Sequence, residues 1–359
     1  MTLIRLIATD LDDTLLDAHS DVTARTVSAV RRAMDAGALF SLSSGRMPEA
    51  MLPLAEKLNV NAPMILYNGA LIYDHRTGRT LFSNAIPAET ALAEHHYISY
   101  DLLKYVQRSA AMVSSAGTVT VMLNEEDHVR FQGLLPGLQL ERAAEMALNL
   151  DEAVGEKYPF AFDSQLGFLT ACPANTGTGM RCSVVLHLPA LAAGGQMGAV
   201  MQAVAKLGLT IRGLYGDGSE ARGHLYQLSN QATLGRSEED VVRSLDAATE
   251  QIVGHERAMR ESAEKKDMMQ LQDTLLRSWG ELMYARLMPT KEFMRRYSDI
   301  RYAASMGYLH APLPGLDLIM MDVQPGSLGV RAGKLIGDRE AEILRAKVLR
   351  EELGRLVAE

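Results

Sequence analysis

The sequence predicts a mixed fold in three successive parts: an α/β part with a Rossmann-like parallel sheet over residues 1–88, an α+β part over 89–255, and an all-helical part over 256–359. Three observations lead to this prediction. Short apolar strands alternate with helices in the first part, apolar and polar residues alternate along strands in the second, and amphipathic helices fill the third. A chain of 359 residues is long enough for two or three such domains.

Composition excludes several classes of protein. The hydrophobic share of 47% and the charged share of 22% are those of a globular chain. The net charge of −8, without a basic cluster, argues against direct nucleic-acid binding. Cys172 and Cys182 fit neither a disulfide framework nor a zinc site, which favours the reducing cytoplasm. Histidine, proline and glycine interrupt the longest weakly charged stretch, so no membrane span is predicted.

The first part alternates strands with helices before it ends in a hairpin. Asp21 is the predicted N-cap of the first helix, and Gly78 is predicted to lie in the hairpin turn. Such alternation is typical of a parallel, doubly wound sheet. The predicted elements are strands over residues 3–9, 38–43 and 64–67 and helices over 22–36 and 49–58.

The second part contains strands whose alternating pattern suits a half-buried antiparallel sheet. Ser237 followed by Asp240 resembles a capping box and predicts the start of a long helix. Further helices follow, with breaks near Pro289 and in the stretch HAPLPGL, and the last helix is predicted over residues 340–357. The predicted strands lie over residues 118–123, 182–188, 209–215 and 224–230.

Polar residues stand where the first three strands end. The motif DLDDTLL places Asp10, Asp12 and Thr14 after the first strand. Ser44 follows the second strand within SSGR, and the pair Asn68-Gly69 follows the third. Open α/β sheets bind ligands at this edge. Two carboxylates two residues apart can act there as nucleophile and acid/base around a hard cation.

These motifs resemble the haloacid-dehalogenase-like hydrolases, in their capped, Cof-type branch, over residues 1–88. The resemblance implies a magnesium-dependent phosphatase with Asp10 as nucleophile, Asp12 as general acid/base and Ser44 as a phosphate-binding hydroxyl. That family also needs a later lysine and a late acidic loop. The segment GDGSEA begins correctly but has glutamate and alanine where asparagine and aspartate belong, so we expect an incomplete phosphatase site.

Four later segments have unusual chemistry: NEEDHVR, CPANTGTGMR, RGLYGDGSE and QLSNQATLGRSEED. Three of them place an arginine at or near a strand end, namely Arg130, Arg181 and Arg212, and the three side chains could converge on one anion. Arginine forks suit phosphate oxygens. Acids beside a phosphate cradle suit a cationic acceptor such as a guanidinium, which one or two carboxylates would align and deprotonate.

From about residue 93 onward these segments resemble the ATP:guanido phosphotransferases, the phosphagen kinase family, and within it the bacterial protein-arginine kinases. The resemblance implies ATP-dependent phosphorylation of arginine residues in proteins, on an antiparallel sheet with flanking helices. It implies ATP and Mg²⁺ as cofactors, the metal arriving with the nucleotide. It also implies a homodimer in the cytoplasm, with arginine-bearing protein substrates, an ATP-dependent unfoldase and protease, and a stress-response repressor as partners.

The resemblance also assigns roles to residues, motif by motif. Glu126 and Asp217 would be the catalytic carboxylates on the guanidinium. Glu125, Asp127 and Cys172 would lie close to the substrate. The nucleotide would be bound by His96, Arg130, Arg181, Cys182, Ser183, Val184, Val185, Arg212, Gly213, Leu214, Tyr215 and Gly216.

The chain departs from the family pattern at three places. The hydrolase-like part stands where the family has a segment with two further phosphate-binding arginines, which predicts weaker ATP binding. Asp217 replaces the second catalytic glutamate, and the phosphoarginine-pocket motif keeps Arg345 but has Ala341 in place of its first arginine. Two alternatives therefore stay open: a phosphatase that uses Asp10 and Asp12, and a catalytically inactive scaffold.

Overall fold

The computed structural model describes two compact units, one of residues 1–88 with 332–337 and one of residues 89–331 with 338–359. The residues described are 6–11, 14–17, 21–44, 48–66, 71–83, 87–105, 108–214 and 221–358. Asp12, Tyr215, Gly216 and Asp217, to which roles were assigned above, lie outside these ranges.

The strands of the described residues are β1 (Leu6–Thr9), β2 (Leu39–Leu42), β3 (Met64–Leu66), β4 (Leu71–Asp74), β5 (Arg79–Ser83), β6 (Ala110–Val113), β7 (Val119–Leu123), β8 (Val129–Gly133), β9 (Phe162–Asp163), β10 (Gly167–Phe168), β11 (Ser183–His187), β12 (Leu209–Gly213) and β13 (Leu225–Asn230). The helices are α1 (Ala24–Asp35), α2 (Pro48–Leu58), α3 (Pro87–Glu94), α4 (Leu140–Gly155), α5 (Pro189–Ala193), α6 (Met197–Lys206), α7 (Glu238–Lys266), α8 (Met268–Tyr284), α9 (Thr290–Ser305), α10 (Leu313–Asp322), α11 (Pro325–Ala332) and α12 (Asp338–Ala358).

In the first unit β1 and β2 pair in parallel, and a parallel bridge between Ser43 and Ile65 brings β3 beside β2. The parallel pairing predicted from the alternation is thus confirmed for these strands. Strands β4 and β5 form the predicted hairpin, with Gly78 in its turn at a φ of 67°. The core between these strands and the two helices includes Leu42, Met51 and Met64, all fully buried.

The prediction that Asp21 caps the first helix is wrong. The N-cap is Thr23, whose hydroxyl accepts a hydrogen bond from the backbone N–H of Thr26 at 3.1 Å. Asp21 instead receives the ammonium group of Lys57 at 2.5 Å and the N–H of Val22 at 2.7 Å. Because a cap must directly precede the first helical turn, the start of α1 at residue 24 favours the threonine.

The second unit has the antiparallel strands that the sequence predicts. Strands β6, β7 and β8 form one three-stranded sheet, and β11, β13 and β12, in that order, form another. Helix α7 begins at the predicted cap, since Ser237 Oγ accepts from the N–H of Asp240 at 3.1 Å. It then runs without a break through residues 255 and 256, between which a domain boundary is predicted from the sequence.

The sheet β11–β13–β12 has one covered and one open face. Val184, Leu228 and Ile211 are partners in register and contribute to a hydrophobic core with α6 and α7. Directly paired residues share a face and successive residues alternate. Arg212 and Val185, both paired with Gln227, therefore lie on the opposite face, which is free of this core. None of the helices within the described part of the chain is long and apolar enough to cross a membrane.

Candidate active site

The acidic loop that follows β7 separates its first two glutamates. The side chain of Glu125 is only 2% exposed and accepts hydrogen bonds from Ser99 Oγ at 2.5 Å and Arg130 Nη1 at 3.1 Å. Its second oxygen accepts from the backbone N–H of Glu126 at 2.7 Å. Glu125 thus holds the loop and the arginine in place, while Glu126 is exposed to solvent.

Asp127 joins the acidic loop to the glycine-rich loop of residues 172–181. Its two carboxylate oxygens accept from the backbone N–H of Cys172 at 2.8 Å and from Asn175 Nδ2 at 2.7 Å. The same amide nitrogen lies 3.4 Å from Glu126 Oε2. A hydrogen bond between the Cys172 thiol and the Glu126 carboxylate raises the pKa of Cys172. These contacts place Glu126 and Cys172 side by side.

Gly177 lets the glycine-rich loop approach the segment that follows β13. Its φ is 117°, and a Cβ at this position would lie 2.3 Å from the carbonyl oxygen of Thr233. The Thr233 hydroxyl donates to the carbonyl oxygens of Thr176 at 2.7 Å and Ala174 at 3.1 Å. A side chain at residue 177 is therefore incompatible with this packing.

Asn230 fixes the backbone on both sides of Arg181. Its Oδ1 accepts from the N–H of Cys182 at 2.8 Å, and its Nδ2 donates to the carbonyl oxygen of Met180 at 3.1 Å. Asn230 is only 5% exposed to solvent. A buried amide whose oxygen and nitrogen are both hydrogen-bonded is a rigid support. Asn230 therefore fixes the direction in which the Arg181 side chain projects from the backbone.

Arg181 lies within electrostatic range of two other arginines. Partial loss of solvent lowers the pKa of Arg181, the positive charges of Arg212 and Arg130 lower it further, and the carboxylate of Glu126 opposes them. Arg130 and Arg212 therefore lie close enough to Arg181 for their positive charges to act on it. Neighbouring guanidinium groups are suited to an anion, and their planar donors match phosphate oxygens.

Other residues with predicted nucleotide contacts divide between the core and the open face. Cys182 is buried in the hydrophobic core, and Val184 packs against it. Ser183 and Val185 are exposed on the open face, on the same side as Arg212. Gly213 ends β12, and the next N–H, that of Leu214, donates to the carbonyl oxygen of Leu225 at 2.9 Å.

His96 lies on the segment that covers the sheet β6–β7–β8. Its backbone has a φ of 61°, and its carbonyl oxygen accepts from Gln132 Nε2 at 2.7 Å. Burial first, and the neighbouring His95 second, lower the pKa of the His96 ring. The imidazole is therefore kept neutral at neutral pH.

Arg345 is 1% exposed inside the helical region. Its Nε donates to the carbonyl oxygen of Val323 and its Nη1 to that of Met288, each at 2.8 Å. Burial lowers the pKa of Arg345 to about 10. In this arrangement the guanidinium joins α12 to the end of α10 and to the residues before α9.

The first unit places its own predicted residues at the carboxyl ends of parallel strands. Asp10 is exposed after β1, the N–H of Thr14 donates to the carbonyl oxygen of Leu11 at 3.2 Å, and Ser44 is buried after β2. No group of three or more histidine, cysteine, aspartate or glutamate side chains suited to a metal ion occurs among the residues that the structure describes.

Four supporting residues have no role in the sequence analysis: Ser99, Asn175, Asn230 and Thr233. Each holds a loop of the candidate site through a hydrogen bond to a residue distant in sequence. A signal exists for Asn230, because an amide at the end of an apolar strand needs a buried partner. No such signal exists for Ser99, which looks like an ordinary turn residue.

Comparisons with known proteins show which families the chain resembles. Residues 81–259 match the C-terminal catalytic domain of the ATP:guanido phosphotransferases, and residues 268–359 match the C-terminal domain of the protein-arginine kinase McsB. Residues 7–130 match the haloacid dehalogenase-like hydrolases. The matches thus define the class as guanidino phosphotransferase over most of the chain, with a hydrolase-like N-terminal part.

Individual relatives show which family of guanidino phosphotransferases the chain resembles. A protein-arginine kinase of Caldanaerobacter subterraneus subsp. tengcongensis is 39% identical over 265 residues, which are 74% of this chain and 79% of the relative. One of Geobacillus stearothermophilus is 42% identical over 263 residues, 73% of this chain and 72% of the relative. A solved lombricine kinase structure is 26% identical, with a TM-score of 0.42, and covers 48% of this chain and 51% of its own. The chain belongs to the protein-arginine kinase family.

Proposed function

We propose that this protein transfers the γ-phosphoryl group of ATP to arginine side chains of proteins. The proposal rests on one observation: the charges of Arg130, Arg212 and the exposed Glu126 all act on Arg181. Family membership and the names of the relatives support the same reaction. No finding favours the phosphatase or the scaffold alternative over it.

The reaction needs positioning and charge neutralisation more than covalent help from the protein. The three guanidinium groups hold the phosphate oxygens, and Mg²⁺ arrives bound to ATP. Glu126 holds the substrate guanidinium and accepts its proton as the new N–P bond forms. The bond from the γ-phosphorus to the bridging oxygen breaks, and ADP leaves. Asp217 is the second carboxylate in this proposal.

The remaining residues have supporting roles in the proposal. Ser183 and Val185 contact the nucleotide from the open face, while Cys172 contacts the substrate guanidinium beside Glu126. The proposed organisation is a hydrolase-like part over residues 1–88, a catalytic part over 89–255 and a helical part over 256–359. A cytoplasmic homodimer that acts on unfolded proteins, together with an unfoldase and protease, completes it.

The test uses the full chain with ATP, Mg²⁺ and an unfolded arginine-bearing protein. We expect acid-labile, base-stable phosphate on arginine, located by mass spectrometry. The substitution Glu126→Gln removes the proton acceptor and should lower the rate at least about a hundredfold. Glu145→Gln, an exposed acid on α4, is the matched control and should leave the rate unchanged. Phosphate found only on serine or threonine, or an equal rate in Glu126→Gln, contradicts the proposal.

A further inference from the structure

Residues 94–99, which we call the strap, lead from the last residue of α3 to Ser99, whose side chain contacts the acidic loop. At its first residue, the carboxylate of Glu94 accepts from the backbone N–H groups of Gly326 at 2.8 Å and Ser327 at 3.0 Å. These are the second and third residues of α11, whose N–H groups have no partner within the helix. Glu94 is only 5% exposed, so it depends on these donors.

Helix α11 approaches the first residue of the strap so closely that residue 326 has no room for a side chain. A Cβ at Gly326 would lie 2.9 Å from Glu94 Oε2 and 2.9 Å from the backbone nitrogen of Ala91. The ring of His95 adds to the contact, because its Nε2 lies 3.2 Å from Ser327 Oγ. The first end of the strap is therefore fixed to the helical region.

The middle of the strap lies on the sheet that bears Arg130. The carbonyl oxygen of His96 accepts from Gln132 Nε2 at 2.7 Å, and Ile98 packs against the fully buried Met122. Arg130 is the register partner of Met122, so these side chains share the face that the strap covers. The left-handed backbone of His96 turns the chain at this point.

The last residue of the strap holds the acidic loop. Ser99 Oγ donates to Glu125 Oε1 at 2.5 Å, and the same carboxylate oxygen accepts from Arg130 Nη1 at 3.1 Å. Ser99 is itself fixed, because its Oγ accepts from the backbone N–H of Leu102 at 3.2 Å. A continuous series of contacts thus runs from α11 to Arg130.

We propose that the strap is a positioning element, in which the docking of α11 on Glu94 fixes Ser99 and thereby the orientation of Glu125 and Arg130. Its consequence for ATP rests on the proposed function. The physical reason is its short length: five peptide bonds separate the two anchored ends, and the middle is held by Gln132. A displacement at α11 cannot be absorbed along so short a segment and reaches the acidic loop.

The first test measures amide hydrogen exchange in the full chain, which requires no catalytic activity. In Glu94→Gln the backbone N–H groups of Gly326 and Ser327 meet an uncharged amide instead of a carboxylate, so both charge-assisted hydrogen bonds are lost. We expect exchange in residues 124–131 to accelerate about tenfold, together with residues 325–332. Glu89→Gln, an exposed acid on the same helix, is the control and should change neither segment. Faster exchange confined to residues 325–332 overturns the proposal.

A second variant tests the proposal independently, in case Glu94→Gln does not fold. Ser99→Ala removes only the far contact, so exchange should rise in residues 124–131 and stay unchanged in 325–332. Both variants should weaken ATP binding. Because both substitutions act through one element, the double variant should have the same affinity for ATP as whichever single variant binds it less tightly. If the losses of ATP affinity in the two single variants add up in the double variant, the proposal that the strap acts as one element is overturned. Absence of ATP binding by the unaltered protein instead contradicts the proposed function and leaves the exchange result to decide the strap.

Discussion

At the scale of single residues, the acids of the NEEDH motif differ in their surroundings. Glu125 and Asp127 are held by protein donors, and Glu126 alone of these three is exposed, beside the Cys172 thiol. Its exposed carboxylate also lies within electrostatic range of Arg181, as the proposed contact with a substrate guanidinium requires. The structure thus separates one solvent-exposed acid from two that are held by protein donors.

The reactivity of Cys172 reports on this geometry without any catalysis. Because the Glu126 carboxylate raises the pKa of Cys172, Glu126→Gln should lower that pKa and increase the thiolate fraction at pH 8. Alkylation of Cys172 by iodoacetamide, followed by mass spectrometry, should therefore become several-fold faster. Cys182 is an internal control, since burial raises its pKa to about 11. An unchanged Cys172 rate would show that the two side chains are apart.

The buried His187 and the half-buried His224 predict sensitivity to acid. His187 Nε2 and His224 Nδ1 each lie 2.8 Å from Ser298 Oγ. Burial first, then the charges of Arg301 and Arg260, hold the pKa of His187 well below its ordinary value of 6.5. Burial also lowers the pKa of His224.

A folded-state pKa below the unfolded one gives stability that is present above about pH 6.5 and is lost as pH falls toward the folded value. We expect the free energy of unfolding, from urea titrations at pH 7.5, 6.5 and 5.5, to decline by up to about 1.4 kcal/mol per pH unit for each such group. His187→Gln keeps a hydrogen-bonding group without the titration and should give a shallower decline. Equal slopes in both proteins would refute the role of His187.

At the scale of elements, the glycine-rich loop depends on its contact with the segment after β13. Gly177→Ala places a Cβ 2.3 Å from the carbonyl oxygen of Thr233 at a φ of 117°. We expect a loss of about 2 kcal/mol or more in the free energy of unfolding, because both strain and lost hydrogen bonds contribute. Gly198→Ala in α6 is the matched control: it meets nothing within 4 Å and should stabilise the protein by about 0.5–1 kcal/mol. Similar effects of the two substitutions on chemical denaturation would contradict this account.

Elements were predictable from sequence where their causes are local. The cap at Ser237 and the hairpin at Gly78 follow from a few adjacent residues. Asp21 failed as a cap because two acceptors compete near the start of α1, and Lys57, 36 residues later, engages one of them. The support of Glu125 by Ser99 likewise joins residues 26 apart, which no local pattern reveals.

At the scale of the whole molecule, the chain joins parts that resemble two families. Residues 81–130 match both of them, so the sequence matches overlap around the start of the second unit. Motifs alone indicated the family and the three arginines, because those residues are spaced in a recognisable way along the chain. The supports of two of them required the tertiary structure, in which Asn230 and Glu125 set the positions of Arg181 and Arg130.

The most direct test of the central claim is the affinity of the full chain for ATP with Mg²⁺, measured by isothermal titration calorimetry. We predict saturable binding that Arg181→Ala weakens by about tenfold or more, since one charge-assisted phosphate contact contributes about 1.5–3 kcal/mol. Arg142→Ala, an exposed arginine on α4, should bind as the unaltered protein does. No binding by the unaltered protein, or equal affinity in Arg181→Ala, would contradict the assignment of the three arginines to a nucleotide site.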